Sequence, residues 1–559
     1  MGFDAIVVGS GISGGWAAKE LSERGLNTLV LERGKPQAHG DYPGEHIPPW
    51  EIPHGGLPLR ELYEAEYAVQ KQCYAFNETT RQFWNNDVEN PYVYEPEKPF
   101  TWIRADVVGG RSLMWARQCY RWSDLDFEAN ARDGHGIDWP LRYRDLEPWY
   151  GYVERFVGVS GEKLGLPHLP DGEFQRPMQM NVVEHHVAKQ IEAQLGRVMT
   201  IGRTATLTEP LPGRAPCHYC GPCHRGCSIG SYFSSQSSTL PAAEATGRFT
   251  LRADAVVEGL DYHPASGRVS GVRVIDTRTR ARETLTARVV FLCASAIGST
   301  QIMLNSRSDS FPTGLANGSG TLGRYLMDHC FQAGAAGVIP GFEAFTTYGR
   351  RPTGIYIPRF KNLDAEDDAP FVRGYGYQGG AQRLDWRNMG QLNVPGFGAQ
   401  FKDTLTKPGP WIMQLGGFGE CLPDADNRML LDAGAMDRYG IPQVRFEFAY
   451  GPNEQAILED VVTEAKTMLE VAGAVQIREF QNNAPGGLAI HEMGTARMGR
   501  DPATSVLNAH NQAHEVDNLF VTDGACMTSS SCVNPSITYM ALTARAADFA
   551  VTQIRDGVL

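Results

Sequence analysis

A chain of 559 residues, 42% hydrophobic with 61 Gly and 34 Pro, exceeds what one core commonly serves and has the composition of a folded α/β enzyme, not of a disordered or collagen-like chain. Its 51 basic and 64 acidic residues give a net charge of -13, and no Lys/Arg stripe tracks a groove, which argues against nucleic acid. No run reaches the ~18 apolar residues of a spanning helix, so no direct membrane insertion is expected, and without a basic n-region or cleavage site any export would be borrowed from a partner.

Phe3 to Val8 reads as a short strand, Gly9-Ser10-Gly11-Ile12-Ser13-Gly14 as a glycine loop, and Gly15 to Arg24 as a helix with Gly25 at its C-terminal end. In this order Gly9 permits the tight turn, Gly11 lets the backbone approach a pyrophosphate, and Gly14 lets the helix pack closely. Thr28 to Leu31 is a second strand, and Glu32 ends it where a ribose hydroxyl needs an acceptor. The fingerprint alone leaves FAD and NAD open. No second G-x-G-x-x-G unit is present, so a separate NAD domain is not supported.

Residues 35 to 100 are Pro-rich and aromatic and read as an extended excursion. Gly109-Gly110-Arg111-Ser112 then offers a second glycine turn, either a close approach to a ring or phosphate or a plain hairpin turn. Ala255 to Leu260, which contains Val256, with Val269 to Ile275 and Arg288 to Cys293 suggests a hairpin inserted beside a parallel sheet. Ala294 to Ser299 repeats the strand, tight turn, helix pattern. Between about 330 and 480, segments such as Thr353–Ile357 and Gln443–Phe448 alternate as in an antiparallel sheet, and Pro452 to Val471 reads as a helix. Asn518 to Thr522 is a strand that ends at Asp523-Gly524, and Pro535 opens a last helix to about Ile554.

Ile490-His491-Glu492-Met493-Gly494-Thr495-Ala496-Arg497-Met498-Gly499, then Asn518 to Gly524, then Val533-Asn534-Pro535-Ser536 resembles the closing signature of the glucose-methanol-choline oxidoreductases. With the N-terminal fingerprint, the Gly109-Gly110 turn and Ala294 to Ser299, the resemblance spans nearly the whole chain. It implies an α/β fold in which a Rossmann-type FAD-binding domain, residues 1–330 and 485–559, is interleaved with an antiparallel-sheet substrate domain, residues 331–484. It also implies His491 as catalytic base with Asn534 as its partner. Alcohol oxidation needs one group to take the hydroxyl proton and flavin N5 to take the hydride. Asn534 before Pro535 can equally be read as a helix N-cap followed by a proline at the first helical position. Gly9, Gly11, Gly14, Glu32, Gly109, Gly110, Ser112, Val256, Ala294, Asp523, Gly524, Pro535 and Ser536 are the expected cofactor-binding residues. The last helix would set its positive end against the flavin pyrimidine.

Gly109 to Trp115 is most similar to the corresponding segment of pyranose oxidases and sugar dehydrogenases. Met114 stands where the pyranose oxidases carry a flavin-linked histidine, so non-covalent FAD is expected. Cys217, Cys220, Cys223 and Cys227 form C-x2-C-x2-C-x3-C, a spacing suited to a 3Fe-4S or 4Fe-4S iron-sulfur cluster. Ser228 replaces the proline that follows such a run in ferredoxins, and zinc, disulfides or idle thiols remain open. The chain is similar to the large subunit of bacterial glucoside 3-dehydrogenases. That likeness implies oxidation of a secondary hydroxyl of a sugar or glycoside, with C3 of glucosides one possibility, and electrons passed through the cluster to a cytochrome c-type acceptor. It further implies a small signal-bearing subunit and periplasmic co-export. The rival readings are an oxidase using O2, a non-enzymatic electron-transfer flavoprotein, and a cytoplasmic location. Tyr375, Tyr377 and Gln378 are sugar-contact candidates by residue type alone, with core packing as their alternative.

Overall fold

The computed structural model describes residues 2–48, 50–347, 349–364, 369–385 and 397–559; residues 365–368 and 386–396 of the expected 331–484 sheet region lie outside them. The first sheet has six strands, in the order Gln512–Ala513, Val516–Val521, Val289–Leu292, Ala5–Val8, Thr28–Leu31, Phe249–Arg252. All neighbours are parallel except the first pair. Its register sets Val7 beside Val30 and Phe291, and Phe291 beside Phe520. Those two rings stack with centroids 4.8 Å apart.

Both faces of this sheet are buried, the arrangement parallel strands require. Ala5, Val7, Phe291 and Phe520 pack against Ala17 and Leu21 of the helix Ile12–Glu23 and Ala547 and Val551 of the helix Ser536–Arg555. Ile6, Val8, Leu29 and Leu292 face the opposite core. The expected hairpin is present as a three-stranded antiparallel sheet, Ala255–His263, Arg268–Asp276 and Arg282–Leu285, inserted between Phe249–Arg252 and Val289–Leu292.

The second large sheet is antiparallel, in the order Val475–Gln481, Cys330–Ile339, Trp411–Gly419, Tyr375–Arg383, Ile355–Ile357, Thr200–Ile201. The last strand comes from outside the 331–484 span. The helix Pro452–Val471 covers one face through Ile457, Val461 and Met468. Strand periodicity of two sends Tyr375 and Tyr377 into that core and leaves Gln378 on the other face. The Gln443–Phe448 segment departs from expectation: Pro442–Glu447 pairs with Arg428–Met436 and with Val93–Tyr94 of the excursion in a separate three-stranded sheet. Alternation reveals a strand but not its neighbour. Among the described residues no helix is long and apolar enough to cross a membrane.

Candidate active site

Four strands of the parallel sheet end at one edge. Gly9 follows Val8, Glu32 follows Leu31, Ala294 lies two residues beyond Leu292, and Asp523 two beyond Val521. Ligands of open α/β sheets bind outside such carboxyl ends. Here they line a cavity of about 370 Å³ that extends to His491 and Asn534.

Gly9, Gly11, Glu32, Gly110, Ser112, Val256, Ala294, Asp523, Gly524 and Ser536 all line the cavity. Three expected residues stand behind the wall. A Cβ on Gly14 would lie 1.9 Å from the Gly9 carbonyl oxygen, so its absence lets the helix close on the loop. Gly109 donates its N–H to Ser10 Oγ at 2.8 Å, and Pro535 occupies the N-cap position of the last helix. That helix begins one residue later than expected, at Ser536, and Asn534 does not cap it; its side chain is engaged elsewhere.

The glycine loop fits a dinucleotide. A Cβ on Gly11 would meet nothing nearer than the Gly109 carbonyl oxygen at 4.0 Å, which leaves the backbone open for close approach. Glu32 is buried and accepts from Ser10 N at 3.0 Å, Ser10 Oγ at 2.6 Å and Gly34 N at 2.8 Å. Burial pushes its pKa up against those donors. The buried Tyr539 hydroxyl and Trp102 Nε1 also line the cavity and have no hydrogen-bond partner among the described residues. Unsatisfied buried polar atoms facing one cavity are what a polar ligand would complete. Met114 is buried in the same wall.

At the other end, His491 Nε2 lies 3.2 Å from Asn534 Nδ2, and Asn534 Oδ1 accepts from Gln378 Nε2 at 2.7 Å. Of the three sugar-contact candidates, only Gln378 therefore reaches the site. Phe331 and Phe418, stacked with centroids 5.4 Å apart, line the cavity nearby. His491 follows Ile490, a β-branched residue held at φ +64°. Asp328 secures that turn by accepting N–H groups from Gly487 at 2.7 Å, Ala489 at 3.0 Å and His491 at 3.0 Å. Burial and the nearby Glu492 charge raise the Asp328 pKa to about 7. Glu492 makes a two-point pair with Arg111 at 2.8 and 2.7 Å, which ties the Gly109 turn to the histidine loop. Burial, the neighbouring His329 and Arg111 hold His491 well below the usual histidine pKa, so it is neutral. Arg111 and Glu492 lay within quoted motifs, whereas Asp328 and His329 carried no spacing signal.

Nothing among the described residues supports an iron-sulfur cluster at the cysteine loop. Cys217, Cys220, Cys223 and Cys227 are free thiols, Cys220 exposed. Among the described residues no group of three or more His, Cys, Asp or Glu comes together as a metal site. None of the four is paired in a disulfide. The loop is tied to the excursion, where Arg225 donates to the Ile47 carbonyl at 3.0 Å and Ser228 N to Glu45 Oε1 at 2.9 Å, and Cys217 N donates to the Leu207 carbonyl at 2.9 Å. Burial and neighbouring thiols raise the pKa of Cys217, Cys220 and Cys227.

A cavity at the strand ends, lined by the glycine loop and closed by a neutral imidazole and an amide, suits a dinucleotide-dependent oxidoreductase. The chain belongs to the GMC oxidoreductase family: the family's N-terminal model matches residues 3–331 and its C-terminal model residues 423–543. It is 29% identical to 2-methyl-1,2-propanediol dehydrogenase of Mycolicibacterium austroafricanum over 99% of this chain and 96% of that one. It is 24% identical to the fructose dehydrogenase large subunit of Gluconobacter japonicus over 99% and 98%. In fold it is similar to pyridoxine 4-oxidase from Mesorbium loti, with a TM-score of 0.62, 17% identity and 98% of each chain covered.

Proposed function

We propose that this protein is an FAD-dependent dehydrogenase that oxidises a secondary hydroxyl of a sugar or glycoside to a ketone. The observation that carries the reading is His491, buried and neutral, paired with Asn534 in the same cavity as the glycine loop. His491 Nε2 takes the hydroxyl proton, and Asn534 and Gln378 align the oxygen. Bound FAD supplies the acceptor for the carbon-bound hydrogen as hydride. Gly9, Gly11 and the helix behind Gly14 would hold its pyrophosphate, Glu32 its ribose, and Gly109, Gly110, Ser112, Val256, Ala294, Asp523 and Gly524 the remaining polar and ring edges. Pro535 and Ser536 turn the positive helix end toward the cavity. With Met114 in the wall, attachment is non-covalent. The FAD-binding domain is proposed as 1–330 and 485–559 and the substrate domain as 331–484.

A diol dehydrogenase and a fructose dehydrogenase subunit among the relatives support the coarser class, a hydroxyl of a sugar or polyol. The likeness to glucoside 3-dehydrogenases favours ring C3. The large-subunit name of the Gluconobacter relative supports a companion subunit, and the likeness to glucoside 3-dehydrogenases favours a small signal-bearing one, a cytochrome c-type acceptor and a periplasmic setting. Mixing holoenzyme without air with a panel of sugars and glycosides tests the activity. One of them should bleach the flavin, and His491→Ala should retain FAD while slowing that step at least ~100-fold, the scale of a general base. No bleaching by any member, or an equally fast variant, would remove the assignment. Rapid reoxidation by air would replace the cytochrome with O2.

A further inference from the structure

The direction of the hydrogen bonds behind His491 is set by a single carbonyl. His329 is fully buried and absent from the cavity wall. Its Nε2 lies 3.2 Å from the Ser530 carbonyl oxygen, and its Nδ1 lies 3.0 Å from His491 Nδ1. A carbonyl only accepts, so His329 Nε2 carries the hydrogen. A neutral imidazole has one N–H, which leaves His329 Nδ1 as a lone pair. The 3.0 Å contact then requires the hydrogen on His491 Nδ1, and His491 Nε2 is bare. Asn534 must present Nδ2 to it and Oδ1 to Gln378, the arrangement observed. Turning any one of these groups round would set two donors or two lone pairs face to face in a buried site.

We infer that His329 is a positioning residue that holds His491 in the tautomer protonated on Nδ1, leaving Nε2 unprotonated on the cavity side, where it accepts from Asn534 Nδ2. The inference rests on the reading of His491 as the base. Both rings are neutral: burial lowers His329 to about 4, and burial, His329 and Arg111 hold His491 well below the usual histidine pKa. The other charged groups near His491 are engaged. Glu492 pairs with Arg111, and Asp328 accepts the His491 backbone N–H. When Nε2 gains the substrate proton, the Nδ1 hydrogen keeps its acceptor on His329, so the ring need not turn during the reaction. In the opposite tautomer Nε2–H would face the hydroxyl and could accept nothing.

The tautomer is measurable in the resting holoenzyme. Long-range ¹H–¹⁵N correlations on histidine-labelled protein, assigned by comparison with His491→Ala, should show His491 protonated at Nδ1 and bare at Nε2. A proton on Nε2 overturns the inference. His329→Phe removes the acceptor and should slow flavin reduction about 100-fold, with KM changed by less than about threefold, because the loss falls on the proton-transfer step. His329→Asn, whose Oδ1 can accept the same Nδ1–H, should recover the rate to within about tenfold of the parent. A His329→Phe enzyme as fast as the parent, or a His329→Asn enzyme as slow as His329→Phe, also overturns it. If His329→Phe loses FAD, the spectrum of the parent decides. A fast His491→Ala would instead sink the base assignment, which the tautomer measurement does not share.

Discussion

The two ends of the cavity are built by different forces. At the glycine-loop end, Gly9, Glu32, Ala294 and Asp523 sit within two residues of parallel strand ends. Their positions follow from strand register, and the strands are fixed by apolar cores on both faces. At the histidine end, His491, Asn534 and Gln378 come from two loops and a strand of the second sheet. A few buried polar bonds hold them, around an Ile490 whose left-handed backbone costs ~1–3 kcal/mol. The first wall should lose ligand contacts when altered and keep its shape. The second should lose shape, because each bond there is also a structural support.

Glu32→Gln should break the first wall with the larger effect. The fold should survive, and FAD affinity should fall by about 10- to 100-fold, matching the ~1.5–3 kcal/mol of a hydrogen bond to a charged group. Flavin fluorescence on dilution measures it, and acid precipitation of the parent should leave all FAD in the supernatant. Unchanged affinity would mean that Glu32 serves only Ser10 and Gly34.

Asp328→Asn probes the second wall and should show a smaller effect, in the pH dependence of stability. The folded-state pKa of Asp328 is raised from 3.8 to about 7, so the folded state binds this proton more tightly than the unfolded chain does. Stability from this group is therefore greatest at low pH, falls as pH climbs through that interval, and is level above it. Denaturant titrations across the interval should show a shallower decline in the variant. An Asn offers one acceptor oxygen where Asp328 uses two to serve three N–H groups, so the variant should also unfold more easily. Parallel curves for the two proteins would show that Asp328 does not titrate in this interval.

The first wall was legible because its demands are local: a glycine where the helix closes on the loop, and an acid just past a strand. His491 and Asn534 were legible only through resemblance, since 43 positions separate them and no spacing rule joins two loops. Gln378 shared its residue-type argument with Tyr375 and Tyr377, and strand periodicity separated it from them once the covering helix was placed. Asp328 and His329 act through single contacts to a loop 162 positions away in the case of the imidazole pair, which no local pattern encodes. The cysteines mark the opposite limit. Their spacing specified ligand chemistry, but the path of the loop was set by Glu45 and the Gly44 and Ile47 carbonyls, partners outside the motif.

The smallest effect should come from a region belonging to neither wall. None of the four clustered cysteines lines the cavity, and Cys220 is exposed. Replacing Cys220 and Cys223 by Ser should therefore leave sugar-dependent flavin bleaching unchanged within about twofold, since surface substitutions away from packed or polar networks rarely exceed ~0.5 kcal/mol. Iron, acid-labile sulfide and zinc should be measured on parent protein prepared without air. Stoichiometric iron with sulfide would show that the loop closes on a cluster, and the variant would then lose cytochrome reduction while keeping bleaching. The loop is tied to the excursion through Arg225 and Ser228, and neither is altered, so loss of FAD from the variant would be unexpected. If it occurred, the cysteines would be shown to support the wall that holds Tyr74 and Met114, because His224 of the same loop packs edge-on against Tyr74 at 5.2 Å.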